Sequence, residues 1–208
     1  MTILTPTTPA SSSLFDQMLA DVYEITNRPD LVGETTAAVK AATLKAHHSD
    51  FYSKDIHEEA FSFPAASYRQ SFDYIQAVDN FRSFKYARKA DDACDDAGVF
   101  FCIITPEESL DSYGRNRTDV AYVAGRVLEM RSSTKFDRFL LGCYIHPIVR
   151  TGAYCSWIAM QYPYAIIYEA CRVVFKAIGK SEESAQMTGL VAEEYGLLKL
   201  SNIQDVGY

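Results

Sequence analysis

The strongest constraint on this chain is a change of hydrophobic period along it. At both ends apolar residues recur every three or four positions, whereas the middle breaks into short aromatic and β-branched runs separated by Pro, Gly, Asp and Ser. The first pattern places apolar side chains on one face of a helix, and the second describes strands between turns. With 208 residues, one core with room for an inserted lobe is expected rather than several independent domains. The expected fold is therefore α+β: a four-helix bundle, made of two N-terminal and two C-terminal helices, with an inserted antiparallel β lobe. The expected limits are a flexible arm over 1–13, the bundle over 14–54 and 156–201, the lobe over 55–155, and a C-terminal tail over 202–208.

The helix starts carry local signals. Ser13-Leu14-Phe15-Asp16 has the form of a capping box with Asp in place of Glu, followed by Phe15, Met18, Leu19, Val22 and Ile25 on one face. A second helix is expected from Asn27-Arg28-Pro29-Asp30 to about His48, with Asn as cap and Pro in the first turn. Its body is mostly small (Thr35, Thr36, Ala37, Ala38, Ala41, Ala42, Ala46), which suits close approach of a neighbouring helix. Trp157 to Ile178 is apolar on nearly every side and predicts a buried helix. Gly179 ends it, and Ser181-Glu182-Glu183 opens a last helix with Met187, Leu190, Val191, Tyr195 and Leu198 on one side. In the middle, Val120 to Met130 and Phe136 to Ile145 predict a hairpin turning at Ser132-Ser133-Thr134.

Composition excludes several classes. Twenty Lys and Arg against 27 Asp and Glu give a net charge of −7, which disfavours electrostatic wrapping of nucleic acid. Five cysteines without a CxxC pair suit reduced, buried thiols. No apolar run is long enough to span a bilayer, and Met1 to Ser13 has no signal-peptide form. Fourteen Tyr and twelve Phe against one Trp are more aromatic residues than one small core needs. They point to surface that is later covered.

Motifs for chemistry are sparse. Asp91-Asp92-Ala93-Cys94-Asp95-Asp96 matches the aspartate-rich spacing that holds magnesium against a diphosphate. It falls in a loop of the β lobe and reads more simply as a solvated acidic loop. A small metal-dependent enzyme or metal-binding domain using Asp91, Asp92, Asp95 and Asp96 is the alternative reading of the chain. His47 and His48 are adjacent and fit a helix C-terminus better than a metal. Cys143 and His146 would point to opposite faces of a strand. Arg82, Lys85, Arg88 and Lys89 alternate with Phe81, Phe84 and Tyr86 as a small nucleic-acid stripe would, or as a solvated strand face does. Asn116-Arg117-Thr118 fits a glycosylation sequon but, with no secretion signal, is read as chance. There is no P-loop, no GxGxxG and no GxSxG elbow. No catalytic, cofactor-binding or metal-ligating residue is assigned.

Tyr23-Glu24-Ile25-Thr26-Asn27-Arg28-Pro29-Asp30-Leu31, leading into Ala37 to Ala46 and then His47 and Ser49-Asp50-Phe51-Tyr52, resembles the N-terminal helical hairpin and exit turn of head-to-tail adaptor proteins of short-tailed bacteriophages. These are also called tail tubular or gatekeeper-type connector proteins. The resemblance covers residues 22 to 60 as sequence and most of the chain as architecture. It implies a structural virion protein, assembled in the host bacterial cytoplasm and located in the tail connector, without enzymatic activity or cofactor. The implied partners are the portal protein, a tail nozzle or tube protein, other copies in a twelvefold ring, and genomic DNA passing through the channel without sequence-specific binding. On that reading Trp157, Tyr162, Tyr164, Tyr168, Phe175 and the terminal Tyr208 are interface candidates. A different ring-forming virion protein, such as a tail terminator, is a third reading, although those usually lead with β structure.

Overall fold

A computed structural model describes residues 13–90, 99–110 and 113–206, the last three of these by backbone alone. The chain is mixed α+β and divides into two units. The first is assembled from the two ends of the chain, up to Ser53 and from Pro147 onward, and the second is the continuous stretch Lys54–His146. Each has its own core, and the two cores share no residue.

In the first unit, α1 spans Leu14–Thr26 and α2 spans Val32–His48. Ser13 caps α1 by accepting the Asp16 N–H, and its hydroxyl donates to the Asp16 carboxylate. Phe15, Met18, Val22 and Thr26 face inward, so Thr26 takes the place expected for Ile25, which is exposed. Asn27 does not open α2. It terminates α1 in the left-handed conformation (φ 51°), which Asn tolerates better than most residues. Arg28, Pro29 and Asp30 form the turn, and the α2 helix begins after Leu31. Thr35, Ala38, Val39, Ala42, Thr43 and Ala46 are its buried stripe.

The long apolar helix expected from Trp157 to Ile178 is two helices, α4 over Trp157–Gln161 and α5 over Pro163–Ala177. Pro163 causes the break: it lacks an N–H and disfavours helical geometry at Tyr162 before it, so it serves as the first residue of a new helix. The α6 helix runs over Ser181–Val206, so the residues expected to begin a tail at 202 continue it.

In the second unit, β1 spans Ile56–Asp73, a helical turn α3 spans Tyr74–Ala77, and β2 spans Phe81–Lys89. The remaining strands are β3 over Phe100–Ile103, β4 over Val120–Ala124 and β5 over Val127–Ile145. The order is β1-β5-β2-β3-β4, and β4 also pairs with β5. The ladder β5-β2-β3-β4 thus closes on itself, because β5 gives its C-terminal half to β2 and its N-terminal half to β4. The lobe is not wholly antiparallel: β3 and β4 run parallel, joined by a crossover that contains a 3-10 turn at Pro106–Ser109.

The expected turn at Ser132–Thr134 is a bulge instead. The hairpin turns at Gly125-Arg126, between the paired Ala124 and Val127, with Gly125 at φ 66°. A two-residue loop needs this at its first position. Opposite Ser67, the β1–β5 register shifts on both sides. Pro64 lies in the unpaired part of β1, where a missing ladder donor costs nothing. On β5 the bulge is tied down by Asp119, which accepts from Ser132 Oγ (3.2 Å), the Ser133 N–H (3.2 Å) and Lys89 Nζ (3.2 Å).

The interior of this lobe uses much of the phenylalanine surplus. Phe61, Phe63, Phe72 and Phe139 contact one another at 4.5–5.6 Å between ring centroids, and Phe101 meets Phe136 at 5.3 Å. A small closed sheet offers few inward positions, so large flat side chains fill it. Each buried Phe is worth about 2–3 kcal/mol and each ring pair about 1 kcal/mol more. Expected as covered surface, these rings are core.

Candidate functional site

The interface candidates read from the sequence separate by burial. Phe175 is only 5% exposed and belongs to the helical core, so it presents no surface. Trp157 is half-buried, with its ring edge-on to Tyr52 at 5.2 Å and to His47 at 5.8 Å. Tyr162 and Tyr168 are half-buried, and Tyr168 stacks on Tyr164 at 5.3 Å. Tyr164 is 50% exposed and lines a shallow hollow with Asp21, Glu24 and Ile25 of α1. Tyr208 and the acidic residues Asp91, Asp92, Asp95 and Asp96 lie outside the described residues.

A more extended apolar surface runs along α6. The inner face is Val191 and Leu198, both buried. Ala185, Gly189, Ala192, Gly196, Leu200 and Ile203 follow at spacings of four, three, four, four and three on the opposite side, and all are exposed. Leu197 flanks this row and is exposed as well. A Cβ added at Gly189 or Gly196 would meet no atom within 4 Å. Small residues followed by larger apolar ones at near-heptad spacing form a face that another helix can approach closely. The inner face is the one expected from the sequence, and the outer pattern is equally legible in residues 185–203.

Most of the polar interior of this unit is paired, Thr35 Oγ1 and Tyr195 OH being buried without a partner among the described residues. His47 is buried, with Nε2 2.9 Å from Ser156 Oγ, which in turn caps α4 by accepting the Ala159 N–H. It is therefore a core histidine rather than a residue merely placed at the dipole end. Glu169 is 2% exposed and accepts from Lys45 Nζ of α2 (2.7 Å) and from Arg172 Nε and Nη2 (2.9 and 2.7 Å). Burial pushes its carboxyl up, but the hydrogen bonds from Arg172 and Lys45 outweigh this and hold it below the ordinary carboxylate range. Tyr154, its hydroxyl pushed up to about 12 by burial, bonds Thr43 at 2.7 Å and packs its ring on Phe15 at 5.1 Å. These contacts place Tyr154 in the helical unit, so the boundary falls at Pro147 rather than after Cys155.

In the β unit the basic residues expected as a stripe on β2 are committed to partners. Arg82 pairs with the buried Asp55 (3.6 Å), Lys85 Nζ donates to Tyr144 OH (3.2 Å), and Lys89 bonds Asp119, Ser132 and Thr134. A different basic group gathers from three distant segments. Arg69 of β1 and Arg131 of β5 are direct cross-strand partners. With Arg117, Asn116, Ser132 and Tyr68 they line a cleft of about 300 Å³. Nothing in the sequence spacing announces this group.

Among the described residues, no group of three or more His, Cys, Asp or Glu could hold a metal ion, and no helix is long and apolar enough to cross a membrane. Cys102, Cys143, Cys155 and Cys171 are free thiols. Burial raises the thiol of Cys143, and pushes that of Cys171 up to about 12, the opposite of what a nucleophile requires. Comparison of the sequence with protein-family models and with curated proteins gave no match.

Proposed function

We propose that this chain is a structural virion protein, a ring-forming head-to-tail adaptor that joins the portal to the tail nozzle around the DNA channel. In this reading α1, α2, the α4–α5 pair and α6 act as a four-helix bundle facing the portal, and the β lobe is its insertion. The observation that carries the reading is the second apolar face of α6. Leu200 is 58% exposed, and Leu197 and Ile203 are each more than half exposed. Single exposed apolar residues are ordinary, but a continuous row on the outer face of one helix marks a surface that a partner covers. The row is open at Gly189 and Gly196, which suits a helix of a neighbouring copy or of the portal. The net charge of −7 suits a ring through which DNA must slide without being held.

Native mass spectrometry of the chain alone and with the portal of the same phage tests this. The expected result is a monomer or weak oligomer alone, and a ring on the intact portal. The double variant Leu197→Glu, Leu200→Glu should fail to join that ring while keeping its thermal midpoint, because both side chains already face water. No association of the wild-type chain with an intact portal ring would overturn the adaptor reading. Normal ring formation by the double variant would remove α6 as its contact.

A further inference from the structure

We infer that the arginine cleft of the β unit binds phosphate, carried by a nucleotide or by a nucleic-acid strand. This does not rest on the adaptor reading, since it concerns residues of one β lobe alone.

The placement of the charges is the first argument. Arg69 and Arg131 sit directly opposite each other on β1 and β5, where like charges normally destabilise a sheet. Arg69 is offset by Glu129, whose Oε2 accepts from its Nε at 3.0 Å. No carboxylate offsets Arg131 among the described residues. Its Nη1 donates to Asn116 Oδ1 (2.7 Å) and more weakly to the Ser109 carbonyl (3.4 Å), and its Nη2 donates to Tyr122 OH (3.0 Å). Those neutral acceptors, with the Tyr122 ring 5.4 Å from the guanidinium carbon, orient the group without cancelling its charge. A guanidinium has five N–H donors, so two are not taken up among the described residues. Arg117 is exposed; its backbone N–H donates to the Ser109 carbonyl (3.0 Å), and among the described residues its guanidinium makes only a long 3.5 Å approach to the Glu108 carbonyl.

Among the described residues, the three guanidinium groups share one bonded carboxylate, Glu129, and the Asp119 that accepts from Ser132 is paired with Lys89, so a local excess of positive charge remains on an acidic protein. A locally unfavourable arrangement of this kind is expected where a ligand supplies the missing charge. Arginine forks match the tetrahedral oxygens of phosphate, and such hydrogen bonds are about twice as strong as neutral ones. At about 300 Å³ the cleft is at the small end of ligand sites, sized for one phosphate and part of what bears it. Tyr68, exposed at the rim with Lys135 Nζ 5.8 Å from its ring centre, offers a flat face on which a base can stack. Thr118 adds a hydroxyl to the lining, whereas that of Ser132 is taken up by Asp119, Lys89 and the Thr134 N–H.

The test titrates the full chain with inorganic phosphate and with thymidine monophosphate by calorimetry, and with a labelled oligothymidylate by fluorescence anisotropy at several salt concentrations. Arg117→Gln and Arg131→Gln should each weaken binding about tenfold, the loss of one charge-assisted contact. Each should also lower the salt slope for the oligonucleotide by about one. Arg126→Gln, at the far hairpin beside Asp73, should bind as the wild type does. Arg117→Gln alters an exposed side chain and keeps the test valid even where Arg131→Gln perturbs folding. Binding of the small probes without the oligonucleotide identifies a free phosphate ester as the ligand, and preference for the oligonucleotide identifies a strand. Three results would overturn the inference: no probe bound at millimolar concentration, equal binding by Arg117→Gln and Arg126→Gln, or equal binding of polyglutamate.

Discussion

Glu169 shows how a charge is kept inside the helical unit. Its carboxylate joins α2 to α5 through Lys45 and Arg172, and breaking a buried pair costs far more than its net contribution to stability. Because Lys45 and Arg172 both reach solvent when released, Glu169→Ala should cost about 2–3 kcal/mol, measured by denaturant unfolding. The depressed carboxyl fixes the sign of the pH dependence. Its stabilisation is complete above the unfolded value of about 4.3 and is lost as pH falls through the lower folded value. The wild-type thermal midpoint should therefore hold from pH 7 to 5 and fall at lower pH. Glu169→Gln should start lower and fall less. At Gly142, opposite Tyr86 on β2, an added Cβ would overlap the Tyr86 ring. Gly142→Ala should cost about 1–2 kcal/mol and disturb the Tyr86–Phe100 edge contact, visible as shifted aromatic resonances. No local signal in the sequence distinguishes this glycine, since its need comes from a ring on another strand.

At the scale of elements, most helix starts and inner faces were readable because their causes are local. Ser13 caps where the sequence places a cap, and Val22 and Leu198 are buried on the expected faces, whereas Ala37 and Ala41 of α2 and Met160 and Tyr164 of the apolar run are exposed. The errors have local causes too. Asn27 and Pro29 both suit either the end of one helix or the start of another, and Pro163 sits inside an apolar run whose continuity hides the break. Ser132-Ser133-Thr134 has the composition of a turn because its backbone is irregular, although as a bulge, while the turn at Gly125-Arg126 is so short that the sequence pattern of its strands runs across it. Gly125→Val should accordingly cost about 1–2 kcal/mol by forcing a β-branched residue to positive φ. Gly125→Asn should be nearly neutral. Thermal unfolding of the two variants separates these outcomes.

At the scale of the whole molecule, the two cores are disjoint, and the only tryptophan belongs to the helical one. Glu169→Ala should therefore raise amide exchange in α2 and α5 and move the fluorescence transition of Trp157, while β5 keeps its protection; faster exchange throughout β5 would show that the two units open together. The sequence by itself determined the α+β class, the division into helical ends and a β middle, and the inner helix faces, because period and capping act over a few residues. The outer row of α6 was equally legible from the same periodicity. The tertiary structure alone decided that β5 serves two halves of a closed ladder, that the Phe surplus of the lobe is core, and that Arg69, Arg117 and Arg131 meet. Strand register and closure depend on partners far apart in the chain, and a cleft drawn from three such segments exists only once they are paired.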